Sequence, residues 1–63
     1  MDLTRAFPAH CRRNIRKLTS MLCTDAETAF AMMLMTAALM DLDPGDDKVA
    51  ELILIDCNVE VGA

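Results

Sequence analysis

The sequence predicts a small all-α protein, a single domain over residues 1–63 that contains three helices. Three observations predict it: a length of 63 residues, two helix-start signals inside the chain, and apolar residues that recur at helical spacing. A domain of this size buries only about 60% of its unfolded surface, so it needs a disulfide, a metal or a second subunit to be robustly stable. We expect helices at about 8–22, 25–41 and 44–57.

The first predicted helix is strongly amphipathic. After Pro8 its apolar residues recur at positions that fall on one narrow stripe of a helix, namely Cys11, Ile15, Leu18 and Leu22. Basic residues occupy the opposite side and form a predicted basic partner-binding face, which consists of Arg12, Arg13, Arg16 and Lys17.

The second predicted helix is apolar on two opposing sides. Thr24 followed by Glu27 fits a capping box, in which Thr24 is the N-cap residue, and from Ala29 to Met40 only Thr36 is polar. A helix that is apolar all round is buried in protein or spans a membrane. The segment is shorter than the ~20 residues a span requires, so we expect burial in protein and no membrane partner.

The third segment starts at Asp43-Pro44, a pattern typical of an N-cap followed by proline at the first helical position. Its apolar run 52–55 fits a helix but also fits a short strand, because periodicity cannot assign four consecutive apolar residues. The alternative fold therefore has two helices and a short C-terminal β-hairpin in which Val59 and Val61 alternate with Glu60.

Three helices leave one side of the second helix without a cover. The first and third helices can cover one of its sides, and the other would expose a contiguous apolar patch of the kind that marks interaction sites. A two-fold homodimeric helical bundle is the simplest arrangement that buries it, and another protein is the alternative partner. The predicted self-association interface consists of Ala31, Met32, Met35, Leu39 and Leu42.

Charge is segregated along the chain, although the net charge is only −4. Residues 1–20 hold five basic residues against one acid, whereas residues 21–63 hold one lysine against nine acids. Such asymmetry points to electrostatic partners. The predicted acidic partner-binding face consists of Asp41, Asp43, Asp46, Asp47 and Glu51.

These charges suggest two alternative functions. The acidic residues could imitate a phosphate track and dock onto a nucleic-acid-binding target, as a small phage- or plasmid-encoded inhibitor of the anti-CRISPR or antitoxin type would. The basic helix could instead contact nucleic acid directly. Overall acidity and the lack of Tyr and Trp for base stacking make that second alternative less favoured.

Catalysis, metals and cofactors find no support in the sequence. His10 is the only histidine, and the three cysteines, Cys11, Cys23 and Cys57, have no metal-ligand or paired spacing. We expect reduced thiols in a cytoplasmic protein, with Cys11 inert in the apolar stripe. The sequence thus predicts a non-catalytic interaction or regulatory module that self-associates through its Met- and Ala-rich central helix.

Overall fold

The computed structural model describes the backbone of residues 3–59 and the side chains of residues 4–59. The prediction of an all-α chain with three helices is confirmed, and these described residues contain no strand. Helix α1 spans Arg12–Leu22, α2 spans Ala26–Met40 and α3 spans Asp47–Asp56. The first predicted helix began too early, because residues before Arg12 form two short 3-10 turns, Leu3–Ala6 and Ala9–Cys11.

Helix α1 places its predicted apolar stripe in the core. Ile15 and Leu18 are fully buried, Cys11 is buried just before the helix, and Leu22 is half-buried against the same cluster. Asn14 is also buried, which the apolar pattern did not predict. Its side-chain Nδ2 donates to the backbone oxygen of Asp46 at 3.0 Å, so a buried polar group ties α1 to the start of α3.

Helix α2 buries Ala29, Met33 and Ala37 on one side. Its N-cap is Asp25, not the predicted Thr24: the Asp25 carboxylate accepts from the backbone N–H of Thr28 at 2.7 Å. The predicted capping box was wrong by one residue because both side chains suit an N-cap, and the chain enters the helix with extended backbone at Asp25.

Helix α3 begins at Asp47 with Asp46 as its N-cap, so the predicted start at Asp43-Pro44 was wrong. The carboxylate of Asp46 accepts from the N–H of Lys48 at 2.9 Å. Asp43 instead accepts from the N–H of Gly45 at 2.7 Å, a side-chain-stabilised turn that aspartate favours in loops.

The run 52–55 lies inside α3, and its residues Ile53 and Leu54 are buried. The first strand of the alternative hairpin is therefore helical. Val59 packs partly against the core, whereas Glu60 and Val61, which the second strand would need, lie outside the described residues.

Each helix is followed within two residues by a residue with left-handed backbone, and none of the three is glycine. These residues are Cys23 after α1 (φ 53°), Asp41 after α2 (φ 55°) and Asn58 after α3 (φ 61°). The left-handed residue reverses the chain sharply and so stops the helix. Short connections then follow, which bring all three helices onto one core of ten buried residues.

The turn between α2 and α3 packs closely against the N-terminal segment. His10 Nε2 lies 3.2 Å from the Asp43 carboxylate, and both side chains are largely exposed. A Cβ at Gly45 would lie 2.6 Å from the His10 ring and from the His10 backbone oxygen. Only glycine fits this approach without a shift of the neighbouring chain.

Replacing Asp25 with alanine is expected to lower the melting temperature by several degrees, because Thr28 loses its hydrogen-bond partner at the helix N-terminus. Thr24→Ala is the matched control and should change the melting temperature little. Thermal unfolding followed by circular dichroism measures both, and a larger effect of Thr24→Ala would contradict the observed cap.

The Asp25 cap also predicts a pH dependence. Its hydrogen bonds with Thr28 hold the pKa of Asp25 below the ordinary 3.8, so the folded state favours the ionised form. That stabilisation is fully present above pH 3.8 and is lost as the pH falls through the lowered pKa. The difference in melting temperature between wild type and Asp25→Asn should accordingly shrink below pH 3.8, and a constant difference would contradict this origin.

Candidate interaction surfaces

The side of α2 that faces away from α1 and α3 is apolar and exposed. Between Glu27 and Asp41 the helix carries no charge. Met35 is 67% exposed and Leu39 is 85% exposed, and Ala31 is exposed on the same side. In the single chain these side chains are in contact with water.

The five residues of the predicted interface differ in how exposed they are to solvent. Ala31, Met35 and Leu39 lie on the exposed side, whereas Met32 is half-buried. Leu42 lies beyond the end of α2: its N–H donates to the oxygen of Ala37, and its side chain is partly packed on the core. The left-handed residue at Asp41 separates Leu42 from the helix, which helical spacing alone could not reveal.

Sequence reasoning missed two members of this surface, Leu34 and Ala38. Leu34 is 45% exposed, and Ala38 is exposed one turn further along. Their helical positions lie beside Ala31 and Met35 on the same side of α2. We call the five exposed residues together the open face of α2: Ala31, Leu34, Met35, Ala38 and Leu39.

A groove of about 410 Å³ runs between α2 and α3 beside the open face. Its walls are mainly apolar, with Met32, Met35, Thr36 and Leu39 from α2, and Leu52, Ile53, Asp56 and Cys57 from the end of α3. A second groove of about 430 Å³ shares Leu52 and includes the exposed side chains of Met40 and Ile55. The two grooves share Leu52, and the charged residues Lys48 and Glu51 line part of the second one.

The predicted basic face divides into two pairs. Arg12 donates from Nε to the oxygen of Phe7 at 3.1 Å and from Nη2 to the oxygen of Arg5 at 3.2 Å. Arg16 donates to the Thr4 hydroxyl at 3.2 Å. Half of this face thus holds the first 3-10 turn against α1. Phe7 in turn contacts α2 through Phe30, with the two rings tilted by 58° and their centroids 5.1 Å apart.

The remaining pair, Arg13 and Lys17, is exposed on the outer side of α1. The predicted acidic face is likewise divided between residues that stabilise the fold and residues that are only exposed. Asp43 and Asp46 stabilise the turn and the start of α3, Asp41 occupies the left-handed position after α2, and Asp47 and Glu51 are exposed on α3.

The cysteines are all free, and the structure distinguishes them by burial. Cys11 is buried, as the sequence predicted, whereas Cys23 and Cys57 are exposed. Burial raises the pKa of the Cys11 thiol, and the charge of Asp43 raises it further, so this thiol stays protonated and unreactive. Among the described residues no group of three side chains is arranged to hold a metal ion.

Comparison with protein-family models, with curated proteins and with solved structures finds no match to this chain. Within the described part of the chain, no single helix has the length and hydropathy to cross a membrane. The two consecutive helical segments Ala9–Leu22 and Ala26–Met40 reach that length and hydropathy only when they are counted together. The chain bends by 113° between them.

The division of the basic face predicts different effects for two adjacent arginines. Arg12→Ala removes both hydrogen bonds to the 3-10 turn, so the Phe7 amide, which donates to the Thr4 oxygen, should exchange with solvent faster by about tenfold. Arg13→Ala is the matched control and should leave that exchange rate unchanged. Amide hydrogen exchange measured by NMR tests this, and equal rates in both variants would show that Arg12 does not hold the turn.

Proposed function

We propose that this chain is a non-catalytic protein–protein interaction module that self-associates through the open face of α2. The observation that supports the proposal is the exposure of Met35 and Leu39 in the C-terminal half of a helix that carries no charge over thirteen residues, 28–40. Soluble monomers rarely expose contiguous apolar patches beyond a few hundred Å², and larger ones mark interaction sites.

Energetics supports the same function. Full burial of a leucine or methionine side chain contributes about 1.5–3 kcal/mol. In a two-fold assembly each residue is buried twice, once on each copy. The core contains ten buried apolar residues among those that the structure describes, so a few further buried side chains are a substantial addition to the stability of a domain of this size.

The small surface area of the protein means that one interface would cover a large part of it. The described chain exposes 4387 Å², and a standard interface removes about 800 Å² from each partner. An interface of ordinary size would thus cover nearly a fifth of this molecule.

The charged surfaces offer weaker support for the other two functions. Asp43 and Asp46 serve the turn and the α3 cap, so the exposed carboxylates of the predicted acidic face without such a role are those of Asp41, Asp47 and Glu51. On α1, Arg12 likewise serves the fold. We therefore assign these charges a secondary role in contacts with a further partner.

Sedimentation equilibrium at micromolar concentration tests self-association directly. Wild type should have about twice the monomer mass of 6.9 kDa. Met35→Lys should weaken the dimer by about 100-fold or more, because a charge replaces an apolar side chain on both copies. Circular dichroism should show unchanged helicity, since lysine is a good helix former.

Met21→Lys is the matched control. Met21 is an exposed methionine on α1, 39% exposed and outside the open face, so its replacement should leave the mass of the dimer unchanged. A wild-type protein that stays monomeric at tens of micromolar, or a Met35→Lys variant that stays dimeric, would overturn the proposal.

A further inference from the structure

We infer that the second copy lies antiparallel across α2, about a two-fold axis near Met35, and that the groove between α2 and α3 receives Leu39 of that copy. This inference rests on the proposed self-association and adds its geometry. It also brings α3 into the interface, which the sequence did not predict.

The sizes of the exposed side chains favour the antiparallel direction. Leu39 is the most exposed large apolar side chain, and Ala31 is a small exposed residue eight positions earlier on the same side. An antiparallel pair centred on Met35 places each Leu39 at the level of Ala31 of the other copy. A parallel pair would place leucine against leucine and alanine against alanine, which crowds one level and leaves a gap at the other.

The groove lies where that leucine would enter. Its α2 wall runs from Met32 to Leu39, and Met32 is next to Ala31 in the chain. In the antiparallel pair, Leu39 of the second copy therefore reaches the groove between α2 and α3 near Met32. The same residue is thus the projecting side chain on one copy and part of the receiving groove on the other, as a two-fold interface requires.

Surface area argues for the inclusion of α3. The open face has three large side chains, Leu34, Met35 and Leu39, and two alanines. That set is small against the ~800 Å² which each partner of a standard interface buries. The groove walls on α3 extend the apolar surface through Leu52 to Ile55, which is 61% exposed. Cys57, exposed in the single chain, lines the same groove and would be covered by the second copy.

The helix dipoles make a smaller contribution to the preference for the antiparallel pair. Two antiparallel helices place the partly positive N-terminus of each near the partly negative C-terminus of the other. A parallel pair aligns the like ends of the two helices, which is the less favourable arrangement of their dipoles.

Disulfide cross-linking tests the direction. In a Cys23→Ser, Cys57→Ser background, Cys11 remains because it is buried. Met35→Cys should cross-link efficiently because position 35 lies near the axis. Leu39→Cys alone should not, because the two copies of position 39 are separated by about 12 Å along the helices, and a disulfide requires Cα atoms within about 7 Å. A mixture of Ala31→Cys and Leu39→Cys proteins should cross-link across the mixture.

Different cross-linking outcomes contradict the antiparallel arrangement and self-association itself. Efficient cross-linking of Leu39→Cys alone, or none between Ala31→Cys and Leu39→Cys while Met35→Cys cross-links, overturns the antiparallel arrangement and leaves self-association standing. A monomeric wild type and no cross-linking in any variant overturn both.

The native thiols test whether the groove is covered. Maleimide modification of wild type should slow at Cys57 by at least severalfold as the protein concentration rises through the dimerisation range. Cys23, exposed in the connection between α1 and α2, is the internal control and should react at a constant rate. Mass spectrometry of proteolytic peptides distinguishes the two sites. Equal concentration dependence at both thiols would remove α3 from the interface.

Discussion

The fold depends on the packing of α1 and α3 against the same side of α2. The buried residues of α2 are Ala29, Met33 and Ala37, spaced four apart, so one large side chain lies between two small ones. The alanines allow neighbouring helices to approach closely, and the methionine fills the space between them. Because both other helices are used on this side, residues 3–59 contain no further helix that could cover the remainder of α2.

The small size of this core also explains why several charged and polar side chains form hydrogen bonds within the fold. A small core gains from every segment that can be held against it, and the 3-10 turns before α1 are held by side-chain hydrogen bonds. Arg12 and Arg16 supply those bonds at the N-terminus, and Asn14 joins α1 to the start of α3. Two of the four basic residues that the sequence assigned to a binding partner thus stabilise the fold itself. Arg13 and Lys17 point outward and remain available to contact a partner.

The sequence predicted the helical class, the core stripe of α1 and the exposed apolar side of α2, because each depends on periodicity alone. It misplaced the helix starts, because Thr24 and Asp25 are both good caps and only the backbone path selects between them. It could not foresee that Asp43-Pro44 begins a turn, since the close approach of Gly45 to His10 is a tertiary contact. The groove shared with α3 likewise depends on how two helices pack, which no single-helix pattern contains.

The three left-handed residues that end the helices have a consequence for how much stability this sequence leaves unused. Cys23, Asp41 and Asn58 each occupy a conformation in which a side chain costs about 1 kcal/mol relative to glycine. Aspartate and asparagine tolerate it best, and cysteine has no such aptitude. Glycine at these positions would therefore be expected to stabilise the folded chain without altering its core.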